Sequence, residues 1–370
     1  MTGENYQFSS FVLRVSGAFL VATCLCLSDF AYAGSSNTGQ PAGVMAGSTA
    51  AAGEIHFYDD GKASALATHR SGLVLEFHNH FSPPPGDSIL WYRLGTLDLS
   101  SKNVAWSALR LAGMTGYNSS VVISSEGYVI LVYSNRAAEL GSYLYYRVGK
   151  TNPQEGSDQT IRWLTNPMRL DAGFHPSIAI NDHDIIVLAY NSGAGDNRIY
   201  YEIGNLVKPA GGPVEPPSGF PYQIRLTGKW IHQYDIGMDP AIGMNNRNEV
   251  IAVHQASHES ALHYRRGLVS GGVIQFGESR LYDDHAESPA IAILDSGLVL
   301  EFHTLGDCLA SRVDRLSLGN PQEIEWSPPV FEGEFQSPAL AISGAYSIVT
   351  FDNGDFYAPK IYCTVGEVLD

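Results

Sequence analysis

Short stretches of alternating apolar and polar residues, separated by turns, recur along most of the chain. One phrase returns in clear copies: Gly-Phe-His-Pro-Ser-Ile-Ala-Ile-Asn at 173–181, Gly-Met-Asp-Pro-Ala-Ile-Gly-Met-Asn at 237–245 and Glu-Ser-Pro-Ala-Ile-Ala-Ile at 287–293. An apolar run follows, as in Gly72-Leu-Val-Leu-Glu-Phe-His78 and Gly297-Leu-Val-Leu-Glu-Phe-His303. Next comes Leu-Trp-Tyr-Arg-Leu-Gly (90–95) or Leu-Tyr-Tyr-Arg-Val-Gly (144–149). A last short segment closes the group: Val-Ala-Trp (104–106), Ile-Arg-Trp (161–163), Ile-Gln-Phe (274–276) or Ile-Glu-Trp (324–326). Runs of this length and alternation predict strands. Four short strands per repeating unit predict an all-β propeller with four antiparallel strands per blade.

The residues opening the second strand are Gly72, Gly127, Asp184, Asn248, Gly297 and Ala345, at spacings of 55, 57, 64, 49 and 48. This predicts six blades. The longest interval contains 208–221, rich in proline and glycine, which no strand tolerates and which therefore loops between the third and fourth strands of the third blade. The last repeat ends after Lys360–Gly366 without a fourth strand, whereas Glu54–Gly61 looks like a fourth strand with nothing before it. The N-terminal strand is thus expected to close the last blade and hide both sheet edges. Inner strands alternate Ile, Leu or Val with Ala or Gly, fitting the crowded axis. Trp106, Trp163 and Trp326 are expected to fill the gaps where blades diverge.

Composition narrows the partners. The formal net charge is −16 over 370 residues. Such a surface repels nucleic acid and anionic membrane and leaves cations, metal ions and neutral sugars open. Residues 1–33 read as a signal peptide: Arg14, an apolar stretch Val15–Leu27, then Ala31-Tyr-Ala33. The expectation is a secreted or periplasmic protein, cleaved near Ala33. Residues 34–52 read as a disordered leader, and 54–370 as a single propeller domain. Cys24 and Cys26 leave with the signal; Cys308 and Cys363 remain in an oxidising compartment, their pairing open.

Candidate chemistry gathers on one face, where fourth-to-first and second-to-third connections emerge. The fourth-to-first segments carry Asp59, Asp60, Asp171, His175, Asp235, Asp239, Asp283, Asp284, His285, Glu287 and Glu332. The second strands end in His78, Tyr133, Tyr190, His254, His303 and Phe351. In one reading the Tyr-Asp corners are turn devices and the second-strand histidines brace neighbouring blades. In the other, residues present in only some blades are specialised. Glu76 and Glu301 match in position, as do Arg93 and Arg312 on the adjoining strand. They read either as a cross-strand ion pair or as a repeated sugar site. The ligand-binding candidates are Glu76, Arg93, His78, Glu301, Arg312, His303 and His254, needing no cofactor. An alternative places His175, His258, His285 and Glu287 around one catalytic mouth, served by proton transfer or one divalent metal ion. No His-Glu-x-x-His spacing supports the metal.

The closed ring, the export signal and the Glu/Arg/Trp sets of two blades resemble bacterial and fungal β-propeller lectins over residues 54–370. That resemblance implies a secreted carbohydrate-binding protein with repeated weak sites that gain avidity on a cell-surface or matrix glycan. The chain departs from related patterns. The Asp-x-Asp-x-Asp-Gly calcium loops and the Ser-x-Asp-x-Gly-x-x-Trp box of sialidases are missing. A hydrolase or lyase at the axial mouth, and a platform docking a protein partner through the acidic rim, remain as alternatives.

Overall fold

Each innermost strand begins with a kink and then buries branched aliphatic side chains, and this repeated unit builds the molecule. The computed structural model describes residues 53–80, 89–135, 141–151, 160–207, 223–226, 232–257, 259–316, 323–324, 326–355 and 358–368. The expected signal peptide (1–33), the leader (34–52), the 208–221 loop and His258 lie outside the described residues.

The architecture is an all-β propeller of antiparallel sheets. Its strands pair into five hydrogen-bonded sheets. The largest, nine-stranded, holds two four-stranded units joined by one long strand, Met168–Ile180, which ends one unit and begins the next. The units run, in chain order, from inner strands Lys62–Thr68, Tyr117–Ile123, Met168–Ile180, Met238–Met244, Ala286–Ile293 and Gln336–Ser343. They are called blades 1 to 6 below. His56–Asp60 pairs antiparallel with Lys360–Glu367, so the N-terminal strand closes blade 6. Cys363 is buried and in no disulfide among the described residues.

The outer strand is broken in two, which the repeat pattern did not reveal. In blade 1 Asn103–Trp106 pairs with the lower half of the third strand and Arg110–Thr115 with its upper half. Blade 4 repeats this with Val273–Phe276 and Arg280–Asp283. The upper pieces lean onto the following blade, and that lean positions the polar groups described next. The core lies between blades, in clusters such as Leu75, Phe77, Tyr92, Leu94, Val121 and Leu131. The tryptophans pack there as expected: Trp106 stacks on Tyr58 at 4.9 Å and Trp326 on Tyr282 at 4.5 Å.

Candidate functional site

The Tyr-Asp corners on the upper outer pieces do two jobs at once. One oxygen closes the turn: Asp59 Oδ1 accepts from the Asp60 amide at 2.9 Å, and Asp235 Oδ1 from the Ile236 amide at 2.9 Å. The other oxygen clamps the next blade. Asp59 Oδ2 accepts from Arg93 Nε at 2.6 Å, Asp235 Oδ2 from Arg265 Nε at 2.8 Å, and Asp283 Oδ2 from Arg312 Nη2 at 2.5 Å. The second-strand histidine completes each clamp, its Nε2 lying 3.7, 3.5 and 3.6 Å from the same oxygens for His78, His254 and His303. Three blade junctions are therefore held by Asp–Arg–His sets. At the junction of blades 2 and 3 the Tyr190 hydroxyl instead lies 2.7 Å from Asp171 and 2.9 Å from Glu202.

The matching Glu76–Arg93 and Glu301–Arg312 positions are direct cross-strand neighbours. Even so, each arginine reaches the aspartate of the preceding blade, and each glutamate pairs with the histidine two residues on. His78 Nδ1 lies 3.0 Å from Glu76 and His303 Nδ1 2.8 Å from Glu301. Glu76, His78, Glu301 and His303 are all 0 % exposed. The cross-strand ion pair expected from register is thus replaced by a longer-range one. The glutamates and histidines of the repeated sets are sealed from solvent, and of the arginines Arg93 keeps 18 % of its side chain exposed and Arg312 7 %.

The histidines feel opposite environments. For His78, burial works against the charged ring, but the Glu76 carboxylate outweighs it and the net shift is upward. For His254, burial dominates, His263 and Arg265 add to it, Asp235 opposes it, and the pKa falls to about 4. A depressed folded pKa means the unfolded chain takes the proton first. Stability from His254 is therefore full above about pH 6.5 and is lost as pH falls toward 4. His254→Phe, copying Phe351 of blade 6, removes this titration. The stability difference between wild type and variant is expected to shift by about 3 kcal/mol between pH 7 and pH 4. Urea denaturation at both pH values measures it; a pH-independent difference would refute the assignment.

The axial mouth differs in kind from these clamps. Every inner strand carries a register shift near its start, between Lys62 and Ala65, Tyr117 and Ser120, Phe174 and Ser177, Met238 and Ala241, Glu287 and Ala290, and Gln336 and Ala339. One residue in each bulge is left-handed: Ala63, Asn118, His175, Asp239, Ser288 and Ser337, with φ from 45° to 53°. Four precede proline, which makes that conformation unfavourable as well as rare. Their cost is carried by braces from the preceding blade. Buried Asn191 donates to the Gly237 carbonyl at 2.7 Å and accepts from the Asp239 amide at 3.1 Å; Asn79 donates to the Gly116 carbonyl at 2.7 Å. At Gly237 a Cβ would collide with the Gln255 carbonyl and the His254 ring.

These six bulge residues line one cavity of about 290 Å³ at the mouth, with Ser64, Ser119 and four prolines. The cavity continues down the axis between the inner strands. A backbone shape common to all blades is architectural; side chains that differ at that shape are what varies at the opening. His175 Nδ1 and Asp239 Oδ1, from the neighbouring blades 3 and 4, meet at the mouth with about a third of each side chain exposed. Of the alternative catalytic set, His175 alone among the described residues lines this cavity. His285 is exposed beside Asp284, and Glu287 accepts from Ser260 away from the lining. The sequence reading noticed His175 and Asp239 but missed Asn118, Ser288 and Ser337. The signal was the changing residue before a constant Pro or Ser in the repeated phrase. Among the described residues no group of three or more His, Cys, Asp or Glu side chains is placed to hold a metal ion.

The sequence matches no protein-family model, and no curated protein matches it. Solved structures do resemble it. A protein of unknown function from Dyadobacter fermentans is 11 % identical with a TM-score of 0.56, covering 85 % of this chain and 99 % of that one. A GH93 α-L-arabinofuranosidase of Fusarium graminearum, in complex with arabinobiose, is 10 % identical with a TM-score of 0.56, covering 83 % and 93 %. A K499G mutant of the NanB sialidase from Streptococcus pneumoniae is 9 % identical with a TM-score of 0.55, covering 86 % of this chain and 69 % of that one. At these identities the likeness is one of fold, and it narrows the lectin resemblance read from the sequence to the propeller architecture.

Proposed function

We propose that this protein recognises a carbohydrate at the axial mouth, through the ring of bulge residues centred on His175 and Asp239. The observation that carries this reading is the ring itself: six equivalent left-handed positions holding Ala, Asn, His, Asp, Ser and Ser around a single cavity of about 290 Å³. That volume is at the small end of ligand pockets, about 300–1,000 Å³, and suits one sugar unit. Asp239 accepts hydroxyl protons, Asn118 both donates and accepts, and the serines adapt to either role. The prolines supply flat apolar walls. Export, expected from residues 1–33, would bring this mouth to cell-surface or matrix glycans. The resemblance to an arabinofuranosidase and a sialidase supports carbohydrate as the ligand class.

Binding is preferred to hydrolysis because paired carboxylates are the usual equipment of glycoside cleavage. Among the described residues lining the mouth, Asp239 is the one carboxylate. The second reading, a hydrolase or lyase, is favoured by the His175–Asp239 pair, which has the form of an acid–base dyad.

Asparagine tolerates the left-handed backbone, and blade 2 already uses it there as Asn118. Asp239→Asn and His175→Asn should therefore fold. Each is expected to weaken glycan binding at least tenfold, since a hydrogen bond to a charged group contributes about 1.5–3 kcal/mol. A glycan array followed by titration calorimetry measures this. Retained affinity in both variants would move the site elsewhere. Turnover of glycosides by the wild type, lost in both, would establish the second reading.

A further inference from the structure

The three clamped junctions are alike except at one position. Blades 1 and 5 place Glu76 and Glu301 between a tyrosine from the preceding outer strand and the clamp histidine. Tyr282 donates to Glu301 at 3.0 Å, and His303 Nδ1 faces the same carboxylate. Blade 4 keeps every other part. Its register is the same, with Ala252 opposite Arg265 where Glu76 lies opposite Arg93 and Glu301 opposite Arg312. Tyr234 stacks on Phe276 at 5.2 Å as Tyr58 stacks on Trp106, and His254 faces Asp235. The carboxylate alone is gone.

Two polar atoms lie without partners at this junction; Tyr58 Oη is unpartnered in blade 1 as well, so it is the histidine Nδ1 that the loss strands. Tyr234 Oη and His254 Nδ1 are buried and have no hydrogen-bond partner. Their residues are 6 % and 1 % exposed. A buried polar atom without a partner is costly and rare, and an unseen ion or water is a standard explanation. Both atoms are donors at the junction where the other two blades carry Glu76 and Glu301, once the ring is protonated, which fits an acceptor with negative charge better than a water.

We infer that the blade 4 junction binds a small monoanion of carboxylate or chloride size in the place of the missing glutamate, held by Tyr234 Oη and His254 Nδ1. Binding takes up a proton on His254, as the Glu76 carboxylate favours the charged form of His78. The charged and titratable groups facing His254 are Asp235 on the outer strand of blade 3 and Arg265 and His263 on the third strand of blade 4. Only Asp235 favours the imidazolium, so an anion supplies what the blade lacks. The site is internal, separate from the axial mouth, and acts on the rigidity of the blade that carries Asp239.

Sodium formate is the probe, titrated against the whole protein at pH 5.5 with thermal unfolding as the readout. The melting temperature of the wild type is expected to rise by several degrees and saturate. Ala252→Glu should be more stable than wild type without formate and should no longer respond, because its tethered carboxylate fills the place. Tyr234→Phe keeps the ring and removes one donor; it should weaken the apparent formate affinity about tenfold, and it serves if Ala252→Glu does not fold. NMR titration of His254 should show its pKa rising with formate. Equal formate responses in wild type and variants, or a His254 titration indifferent to formate, would overturn the proposal and leave a bridging water in its place.

Discussion

Asp283→Ala is expected to cost about 3–5 kcal/mol of stability, the usual penalty for removing one partner of a buried ion pair. Arg312 and Asp283 have side chains only 7 % and 8 % exposed. With the aspartate gone, the guanidinium stays buried beside His303 without its counter-charge. For a chain this long the loss corresponds to roughly 4–7 °C in melting temperature. Asp59→Ala at the junction of blades 6 and 1 should cost less, because Arg93 is 18 % exposed and water can solvate it. Breaking the exposed Lys102–Glu367 pair should cost under about 1 kcal/mol. Thermal and urea denaturation of the three variants give the ranking. An Asp283→Ala loss no larger than that of the surface pair would mean the clamps contribute nothing.

The same junction tests whether the clamp is needed as a whole. Blade 6 does without it: Val349 and Phe351 occupy the glutamate and histidine positions and are each 1 % exposed. The triple change Tyr282→Phe, Glu301→Val and His303→Phe removes the Tyr282–Glu301 hydrogen bond with both its partners, leaves the Asp283–Arg312 pair intact and should cost less than Asp283→Ala. Polar sets removed together are replaced by packing, whereas a single removal strands a charge.

Much of this fold was legible along the chain because its unit repeats. Inner strands announce themselves through the Pro-Ser-Ile-Ala-Ile phrase, and Glu54–Gly61 could be placed in blade 6 because it matches the outer strand of another blade. The outer strand's break was hidden, since Gly277 and its neighbours read as part of one strand end. Glu76 and Arg93 were correctly set side by side, but adjacency does not decide pairing. Arg93 prefers an aspartate 34 residues earlier in the chain, delivered by another blade. The histidines ending the second strands read as a polar face because alternation cannot show that the preceding blade's Tyr-Asp corner covers them. Asn118, Ser288 and Ser337 escaped notice for a different reason. Their variation beside a constant Pro or Ser looks like drift until the bulge turns all six positions toward one cavity.

Removing the closing strand should have the largest effect of all. A chain beginning at Gly53 retains His56–Asp60, whereas one beginning at Lys62 lacks it. The shorter chain loses the ladder to Lys360–Glu367, the Phe57–Tyr362 contact and the Tyr58–Trp106 stack. It also loses Asp59, leaving Arg93 and the buried His78 without their shared carboxylate oxygen. What remains is a last blade whose third strand offers unpaired backbone donors and acceptors to any other chain. The expected result is a loss of soluble monomer, seen as aggregation or strand-exchanged oligomers by size-exclusion chromatography with light scattering, while the longer chain stays monodisperse and folded. Adding a peptide of residues 53–61 in trans should recover part of the monomer, because the strand meets an already shaped groove rather than folding one. A chain from Lys62 that melts with the same cooperativity and midpoint as the longer one would show that the ring holds without its closing strand, and that the clamp at Asp59 is not what joins its two ends.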